Sequence, residues 1–292
     1  MKRGIKRRAL LALTLATSLS VGVAHAENTS GVPLPATPVF NKADPVAYGT
    51  ALAKYAERYD SGWIDQYSKG KMTLIDARGD SVQREVVQAI LEGGSGDKSL
   101  VRFMTPADIR GVAALIHEKP GGADDTWLYL PASRRVRRIS GANRTSSFQG
   151  TEFTYEDLSS VSVERYSWKH LKEATANGQP VHELEAVPRY RDTGYSKIII
   201  SLHRTHFRPE QVQYFDKAGR KLKTWLGSRW MHAHGRFWRP LTQTMHNHQT
   251  GKKTIIETPE LRLNLALYPG PGGKRRDNLS ASLFTRRALE GS

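Results

Sequence analysis

Four arginines within five positions, in the stretch RRVRR at 134–138, give this chain its densest concentration of anion-binding groups. A guanidinium group holds a phosphate or carboxylate through two parallel hydrogen bonds. On a strand, alternation places the first and last of these arginines on one face and the middle two on the other. We expect them either to contact a lipid head group or partner protein, or to pair with acids that follow in the chain. The arginines are Arg134, Arg135, Arg137 and Arg138, and the acids are Glu152, Glu156 and Asp157.

Aromatic side chains lie on both sides of the arginines, and they are candidates either for an apolar ligand site or for a protein core. Tyrosine and tryptophan combine a large apolar body with a polar tip, which suits the mouth of a cavity. We expect five aromatic residues to line or gate such a cavity, and the alternative is that they fill a protein core. These residues are Trp127, Tyr129, Phe148, Phe153 and Tyr155.

Two H-x-H pairs raise the question of a metal site. They are His232 with His234, and His246 with His248. The members of a pair share one strand face at about 6.6 Å, a spacing that suits zinc or copper. A turn at Gly235-Arg236 would, however, set His232 opposite Arg239. His246 would then lie about 23 Å farther along the hairpin, too far for one four-histidine site. We therefore predict solvent-facing histidines, with no metal and no cofactor.

Catalytic signatures are absent from the sequence. It contains no G-x-S-x-G or H-E-x-x-H motif, since His117-Glu118 is followed by Lys, Pro and Gly. The string GDKS at 96–99 imitates the end of a phosphate loop, but an aspartate separates its glycine from its lysine. We predict a protein that is not an enzyme. An envelope hydrolase stays open as an alternative, because catalytic triads assemble across distant parts of a chain.

Residues 1–26 have the form of a cleavable secretory signal. Five basic residues precede an apolar run at 9–23, and Ala24-His25-Ala26 is an A-x-A cleavage site. The apolar run is shorter than the roughly 20 residues that a membrane-spanning helix needs. We expect cleavage after Ala26 and a periplasmic protein.

Charge and cysteine content narrow the partners of the exported chain. The signal holds five of the 44 basic residues and none of the 28 acids, so cleavage lowers the net charge from +16 to +11. Outside the cytoplasm this charge favours anionic lipid head groups and peripheral membrane contact over nucleic acid. The alternative is a basic surface without a partner. The chain has no cysteine, which excludes disulfides, thiolate metal sites and lipidation on an N-terminal cysteine.

The elements that must position these residues are one helix and many strands. Asp44 and Pro45 predict a helix start, and apolar residues at spacings of four, three and four continue the helix towards Gly62. Beyond it, short alternating segments separated by turn signals predict a large antiparallel sheet, open or partly closed. The last strand is expected to run from Leu261 to Leu267, with its four leucines on one face.

A single domain accounts for nearly all of the exported chain. Residues 27–43 are rich in Pro, Thr and Asn and are expected to form an extended lead-in. Residues 44–292 are then long enough for one large β domain with a core that is stable without disulfides.

A longer pattern connects these features to a known family. Residues 124–158 join DTWLYLP, the arginine stretch and SSFQGTEFTYEDL, and this order resembles the outer-membrane lipoprotein-sorting protein family, the LolA-like group. The segments QVQYFDKAGRKLKTW at 211–225 and GRFWRPLTQTMHNHQTGKKT at 235–254 resemble the family's final hairpins, and SLFTRRALE resembles its closing residues. The resemblance covers nearly all of the exported chain.

The resemblance implies a mainly β (α+β) fold: a large curved antiparallel sheet that forms a half-open barrel, with a few helices covering its concave face. It also implies an apolar cavity that accepts a lipid or lipoprotein acyl chain, and a role in envelope lipid or lipoprotein trafficking. Relatives of this kind are linked with exporters of the resistance-nodulation-division (RND) type. We expect a monomer. A different possibility is an accessory subunit that docks on an exporter and carries nothing.

Overall fold

The computed structural model describes residues 31–267 and 277–290, and these form a mainly β structure. The signal predicted at 1–26 lies outside the described residues, and residues 31–43 of the lead-in contain no helix or strand. The described α-helices are α1 (Pro45–Tyr59) and α2 (Arg286–Glu290). The strands are β1 (Asp65–Ile75), β2 (Ser81–Leu91), β3 (Lys98–Thr105), β4 (Ala113–His117), β5 (Asp125–Leu130), β6 (Arg135–Ile139), β7 (Tyr166–Ala176), β8 (Gln179–Pro188), β9 (Lys197–His203), β10 (Pro209–Phe215), β11 (Lys221–Ala233), β12 (Phe237–Asn247) and β13 (Lys253–Leu263).

The thirteen strands form one antiparallel sheet in the order β6-β5-β4-β3-β2-β1-β13-β12-β11-β10-β9-β8-β7. Strands β1–β6 lie side by side in chain order, as do β7–β12, and β13 is inserted between β1 and β12. Strands β6 and β7 are the two edges, and within the described part of the chain they do not pair, so the sheet stays open. The predicted half-open barrel of antiparallel strands is confirmed.

Helix α1 begins where the sequence predicts. The Asp44 carboxylate accepts hydrogen bonds from the amides of Val46 and Ala47. Pro45 occupies the first helical position, where a backbone N–H would have no acceptor within the helix. Neither α1 nor any other described helix is long and apolar enough to span a membrane.

One face of α1 packs closely on β7 and its neighbours. The buried side chains of this face are Tyr48, Leu52, Ala53 and Tyr55. Gly49 allows the close approach, because a Cβ at this position would lie 2.5 Å from the backbone nitrogen of His170. Tyr48 and Leu52 join a core cluster with Leu184 and Ile200 of the sheet.

The sheet has an inner face, which α1 covers, and an outer face, which the C-terminal segment 277–290 covers. Strand β4 shows how alternation serves both: Ala114 and Ile116 pack into the inner core. Ala113 and Leu115 pack into a separate outer cluster with Phe284 of the C-terminal segment. Helix α2 therefore lies on the outer face, and α1 lies on the inner one.

The last strand ends four residues earlier than predicted. Strand β13 ends at Leu263, because Asn264 turns the chain with a φ of 58° and Leu265–Leu267 form a 3-10 turn. The buried carboxylate of Asp65 fixes this turn by accepting a hydrogen bond from the Leu265 amide at 2.7 Å. The alternation of the four leucines therefore wrongly predicted that the strand continues to Leu267.

Candidate functional site

A cavity of about 530 Å³ lies between α1 and the inner face of the sheet. Its volume falls in the range of about 300–1,000 Å³ that is typical of ligand pockets. The wall is mainly apolar, and its side chains come from α1 and from several strands. They include Ala53, Trp168, Leu184, Ile200, Leu202 and Val212. An apolar chain inside this cavity would be removed from water along much of its length.

The curvature of the sheet creates this cavity. Ser99 on β3 and Leu184 on β8 both line it, although eight strand steps separate β3 from β8 in the sheet. In a flat sheet, a spacing of about 4.8 Å per step would place these strands about 38 Å apart. The sheet therefore bends around the cavity, with its inner face concave and α1 in the hollow.

The loop at 146–163 closes one side of the cavity. Phe153 and Leu158 of this loop belong to the wall. Asp157 anchors the loop, because its carboxylate accepts hydrogen bonds from Lys223 Nζ at 2.5 Å and from the Tyr195 hydroxyl at 2.6 Å. The side chains of Asp157 and Lys223 are both 2% exposed. A buried ion pair is stable only when its partners are hydrogen bonded in this way.

The aromatic residues predicted for the cavity are divided between three environments. Phe153 lies in the cavity wall. Phe148 and Tyr155 pack in the inner core behind it, with their ring centroids 5.5 Å apart.

Trp127 and Tyr129 belong to the outer face. Both lie on β5 and pack in the cluster that contains Phe284 of the C-terminal segment. Leu128, between them, packs in the inner core, as alternation along a strand requires. Within the described residues, the cavity wall therefore contains neither of these two side chains.

Comparison with known proteins decides the family. A protein-family model described as "Uncharacterized protein" matches residues 95–291. No curated protein matches the chain significantly. A crystal structure described as an outer membrane lipoprotein-sorting protein domain, from Vibrio parahaemolyticus, is 39% identical, with 83% of this chain and 98% of that chain covered and a TM-score of 0.76. This chain belongs to the outer membrane lipoprotein-sorting protein family.

Two further structures agree with the LolA-like fold. A DUF1329 family protein from Desulfovibrio piger is 28% identical, with 84% of this chain and 99% of that chain covered and a TM-score of 0.75. A LolA superfamily protein from Nitrosomonas europaea is 18% identical, covers 82% of this chain and 98% of its own, and has a TM-score of 0.61, which supports the fold alone.

In this LolA-like chain the acids of the 124–158 motif hold loops in place. The Asp124 carboxylate accepts hydrogen bonds from Arg144 at 3.1 Å and from Arg165 at 2.7 Å, and all three side chains are buried. Glu156 accepts hydrogen bonds from the Tyr190 hydroxyl at 2.7 Å and from the Gly194 amide at 2.9 Å. These contacts fix the loop over the sheet.

The arginine stretch does not pair with those acids, contrary to one of the two expectations for it. Glu152 accepts a hydrogen bond from Asn247 instead, and Arg138 pairs with Asp125. Arg134 precedes β6 in a left-handed conformation with a φ of 50°, so strand alternation does not extend to it. The four arginines are exposed along the edge strand, and the part of the chain described here provides no ion pair for Arg134, Arg135 or Arg137. The other expectation, contact with a head group or partner, stays a prediction.

The β11–β12 hairpin has a different register from the predicted one. Its loop has three residues, and His234 in this loop has a φ of 52°. His232 therefore pairs with Trp238, and the two rings stack with their centroids 4.1 Å apart. The rings of His246 and His248 lie 4.6 Å apart. No group of three or more potential ligand residues that could hold a metal ion occurs in the described ranges.

One end of the cavity is acidic. A second cavity of about 610 Å³ adjoins it, and Asp97 and Glu118 border both. Burial raises the pKa of Glu118 to about 7, although hydrogen bonds from Ser160 act in the opposite direction. Burial likewise raises the pKa of Glu92 to about 7 and that of Asp97 above its usual value.

Another part of the wall combines arginine with tryptophan. The Arg208 guanidinium lies 4.4 Å from the ring centroid of Trp230 and 4.2 Å from that of Trp238. All three residues line the cavity. Sequence reasoning missed this group, because Arg208 comes from the β9–β10 connection and the tryptophans come from two strands of the next hairpin. Two tryptophans beside a tight turn, in RWMHAHGRFW, were the available signal.

Proposed function

We propose that this protein is a periplasmic carrier that holds an acyl chain of a lipid or lipoprotein in its cavity and passes it on in envelope trafficking. The apolar cavity between α1 and the concave sheet is the observation that carries the proposal. The relative from Vibrio parahaemolyticus, described as a lipoprotein-sorting protein domain, supports it.

Burial of an alkyl chain supplies enough free energy for this role. Each buried methylene contributes about 0.8 kcal/mol, so ten of them contribute about 8 kcal/mol. That free energy corresponds to a dissociation constant of about 1 μM before the costs of association are subtracted. A carrier of this kind needs no catalytic group, and we propose a non-enzymatic role.

Transfer requires a membrane or protein that receives the cargo. We propose that the exposed arginines of the β6 edge, Arg134, Arg135, Arg137 and Arg138, contact an anionic membrane surface or a partner. We further propose that an RND-type exporter is that partner and that the carrier acts as a monomer. The competing function is a docking subunit that carries nothing.

Native mass spectrometry of protein extracted gently from the envelope tests cargo binding. A stoichiometric species whose mass matches a lipid or lipopeptide supports the carrier, and denaturing lipid analysis then names the cargo. A spectrum that stays free of ligand, even after incubation with envelope lipids, favours the docking subunit.

A substitution that fills the cavity provides a direct test. Ala56 lies on α1 in the cavity wall, so Ala56→Phe should occupy the space of about two methylenes of ligand. We expect it to weaken binding of a fluorescent C16 fatty acid about tenfold, which is the equivalent of that lost burial. Ala51→Phe, on the same helix but outside the wall, is the matched control and should bind like the wild type. Equal affinities of the two variants would contradict the placement of the ligand.

A further inference from the structure

Arg208 is only partly engaged by the protein. Its Nε donates a hydrogen bond to Glu210 Oε1 at 2.9 Å. Neither of its Nη atoms has an acceptor among the described residues, and Nη1 is sealed from solvent. The side chain is 11% exposed and is held between the rings of Trp230 and Trp238. Stacking on aromatic faces fixes the plane of a guanidinium, and it leaves Nη2, which is not sealed from solvent, available for a ligand.

The other cations of the wall are bound by the protein. Arg239 donates to Asp60 at 2.7 Å and to Gln66 at 2.8 Å. Arg236 donates to the backbone carbonyl of Tyr59. Nη2 of Arg208 thus differs from these donors, because it is not sealed and no protein acceptor occupies it in the part of the chain described.

Two histidines lie close enough to Arg208 for its charge to affect them. His206 and His232 both have lowered pKa values, first because burial disfavours their charged forms and then because of the Arg208 charge. Glu210 offsets part of this charge through Nε alone. With Nε bonded to Glu210 and Nη1 sealed, Nη2 gains most from an acceptor that carries a negative charge, because a charge-assisted hydrogen bond is stronger than a neutral one.

We propose that Arg208, stacked between Trp230 and Trp238, binds the carboxylate or phosphate head group of a single-chain amphiphile whose alkyl chain fills the cavity. This assignment rests on the proposed carrier function and narrows its cargo to anionic amphiphiles. Neutral acyl groups, such as those of a fully acylated lipoprotein terminus, would use the same apolar wall without the contact to Arg208.

Paired ligands of equal chain length test the assignment. Dodecanoate and dodecan-1-ol, each below its aggregation or solubility limit, are titrated into ligand-free protein, with tryptophan fluorescence as the signal. We expect the wild type to bind dodecanoate about tenfold or more tightly than the alcohol, as one charge-assisted hydrogen bond supplies. In Arg208→Gln this preference should fall below about threefold with little change in affinity for the alcohol. Arg229→Gln, an exposed arginine of the same hairpin outside the wall, should keep the preference.

The remaining outcomes separate this inference from the carrier function. Failure of both ligands to bind the wild type contradicts the carrier itself. Equal binding of both ligands, or a preference that survives in Arg208→Gln, overturns the role of Arg208 and leaves the carrier intact. Acetate or inorganic phosphate that binds as tightly as dodecanoate also overturns it, since the chain would then contribute nothing. Arg208→Lys keeps a charge for Glu210 but loses the planar group that the tryptophan rings hold in place, so it should lower the preference even if the glutamine variant does not fold.

Discussion

Three buried acids of the 124–158 motif hold its loops in place. Asp124, Glu156 and Asp157 each accept two or more hydrogen bonds in the interior, from guanidinium, ammonium, hydroxyl or amide donors. Removing one partner of such a pair leaves a buried charge without compensation, which is far more destabilising than losing an exposed pair. The acids are therefore structural supports of the cavity wall.

Glu118 makes stability depend on pH. Its pKa rises from 4.5 in the unfolded chain to about 7 in the folded protein, mainly through burial. The folded state then holds a proton that the unfolded state has lost, so stability falls as pH rises from about 4.5 to 7. In Glu118→Gln this fall should be smaller by about 1–3 kcal/mol. Urea denaturation at pH 5 and pH 7.5 measures the difference, and identical falls in both proteins would contradict the assigned pKa.

The sequence alone could identify candidate site residues in the motif, but it could not show which face of the sheet each side chain occupies. Of the five aromatic residues predicted for the cavity, Phe153 lines it, whereas Trp127 and Tyr129 face the opposite side of the sheet. Alternation defines two faces of a strand without labelling the concave one. The Arg208 group joins segments that only the folded sheet brings together, so no local pattern could reveal it.

Among the elements, the contact of α1 with β7 sets the height of the cavity. Gly49 lies where the helix touches the strand, and its missing side chain permits the contact. A helix displaced at this point would move the cavity residues Ala53 and Ala56 away from the sheet.

Gly49→Ala tests this contact against helix propensity. Alanine should stabilise an isolated helix by about 1 kcal/mol relative to glycine. Here its Cβ would lie 2.5–2.8 Å from backbone atoms of Lys169 and His170, so we expect overpacking to win and the free energy of unfolding to fall by about 1–2 kcal/mol. Gly194→Ala is the control, because its Cβ would be 3.5 Å from Thr145, an ordinary contact. A Gly49→Ala variant more stable than the wild type in thermal unfolding would disprove the tight contact.

The helix and the antiparallel class of the sheet follow from local sequence signals. The β7–β8 hairpin and the end of β13 do not. The helix carries its own cap at Asp44, and the hairpins carry their own turns. The β7–β8 hairpin has only the Asn177-Gly178 turn as a clear signal, and its charged, exposed positions hide the alternation, so it escaped prediction. The end of β13 depends on Asn264 and its contact with Ile64, which lies 200 positions earlier.

For the whole molecule, excess positive charge predicts attraction to anionic membranes. The arginines of β6 lie on an edge strand at one end of the sheet, where they are exposed. Each cationic side chain near an anionic surface contributes about 1 kcal/mol at physiological ionic strength.

Sedimentation with phosphatidylglycerol-containing vesicles measures this attraction. Arg135→Gln combined with Arg137→Gln should weaken binding about tenfold or more, and 1 M salt should abolish it by screening. Arg78→Gln with Arg220→Gln removes the same charge from two exposed turns at other places in the sheet and serves as the control. Equal losses in the two double variants would show that only net charge matters.

The insertion of β13 sets the order in which the molecule can be completed. Strands β1–β6 pair with their chain neighbours, and so do β7–β12, while β13 joins these two halves by pairing with β1 and β12. The cavity takes its wall from both halves. A growing chain therefore has no finished cavity until residues 253–263 have been synthesised and paired. Under the proposed carrier function, a truncated product that lacks β13 would have no complete cavity in which to hold cargo.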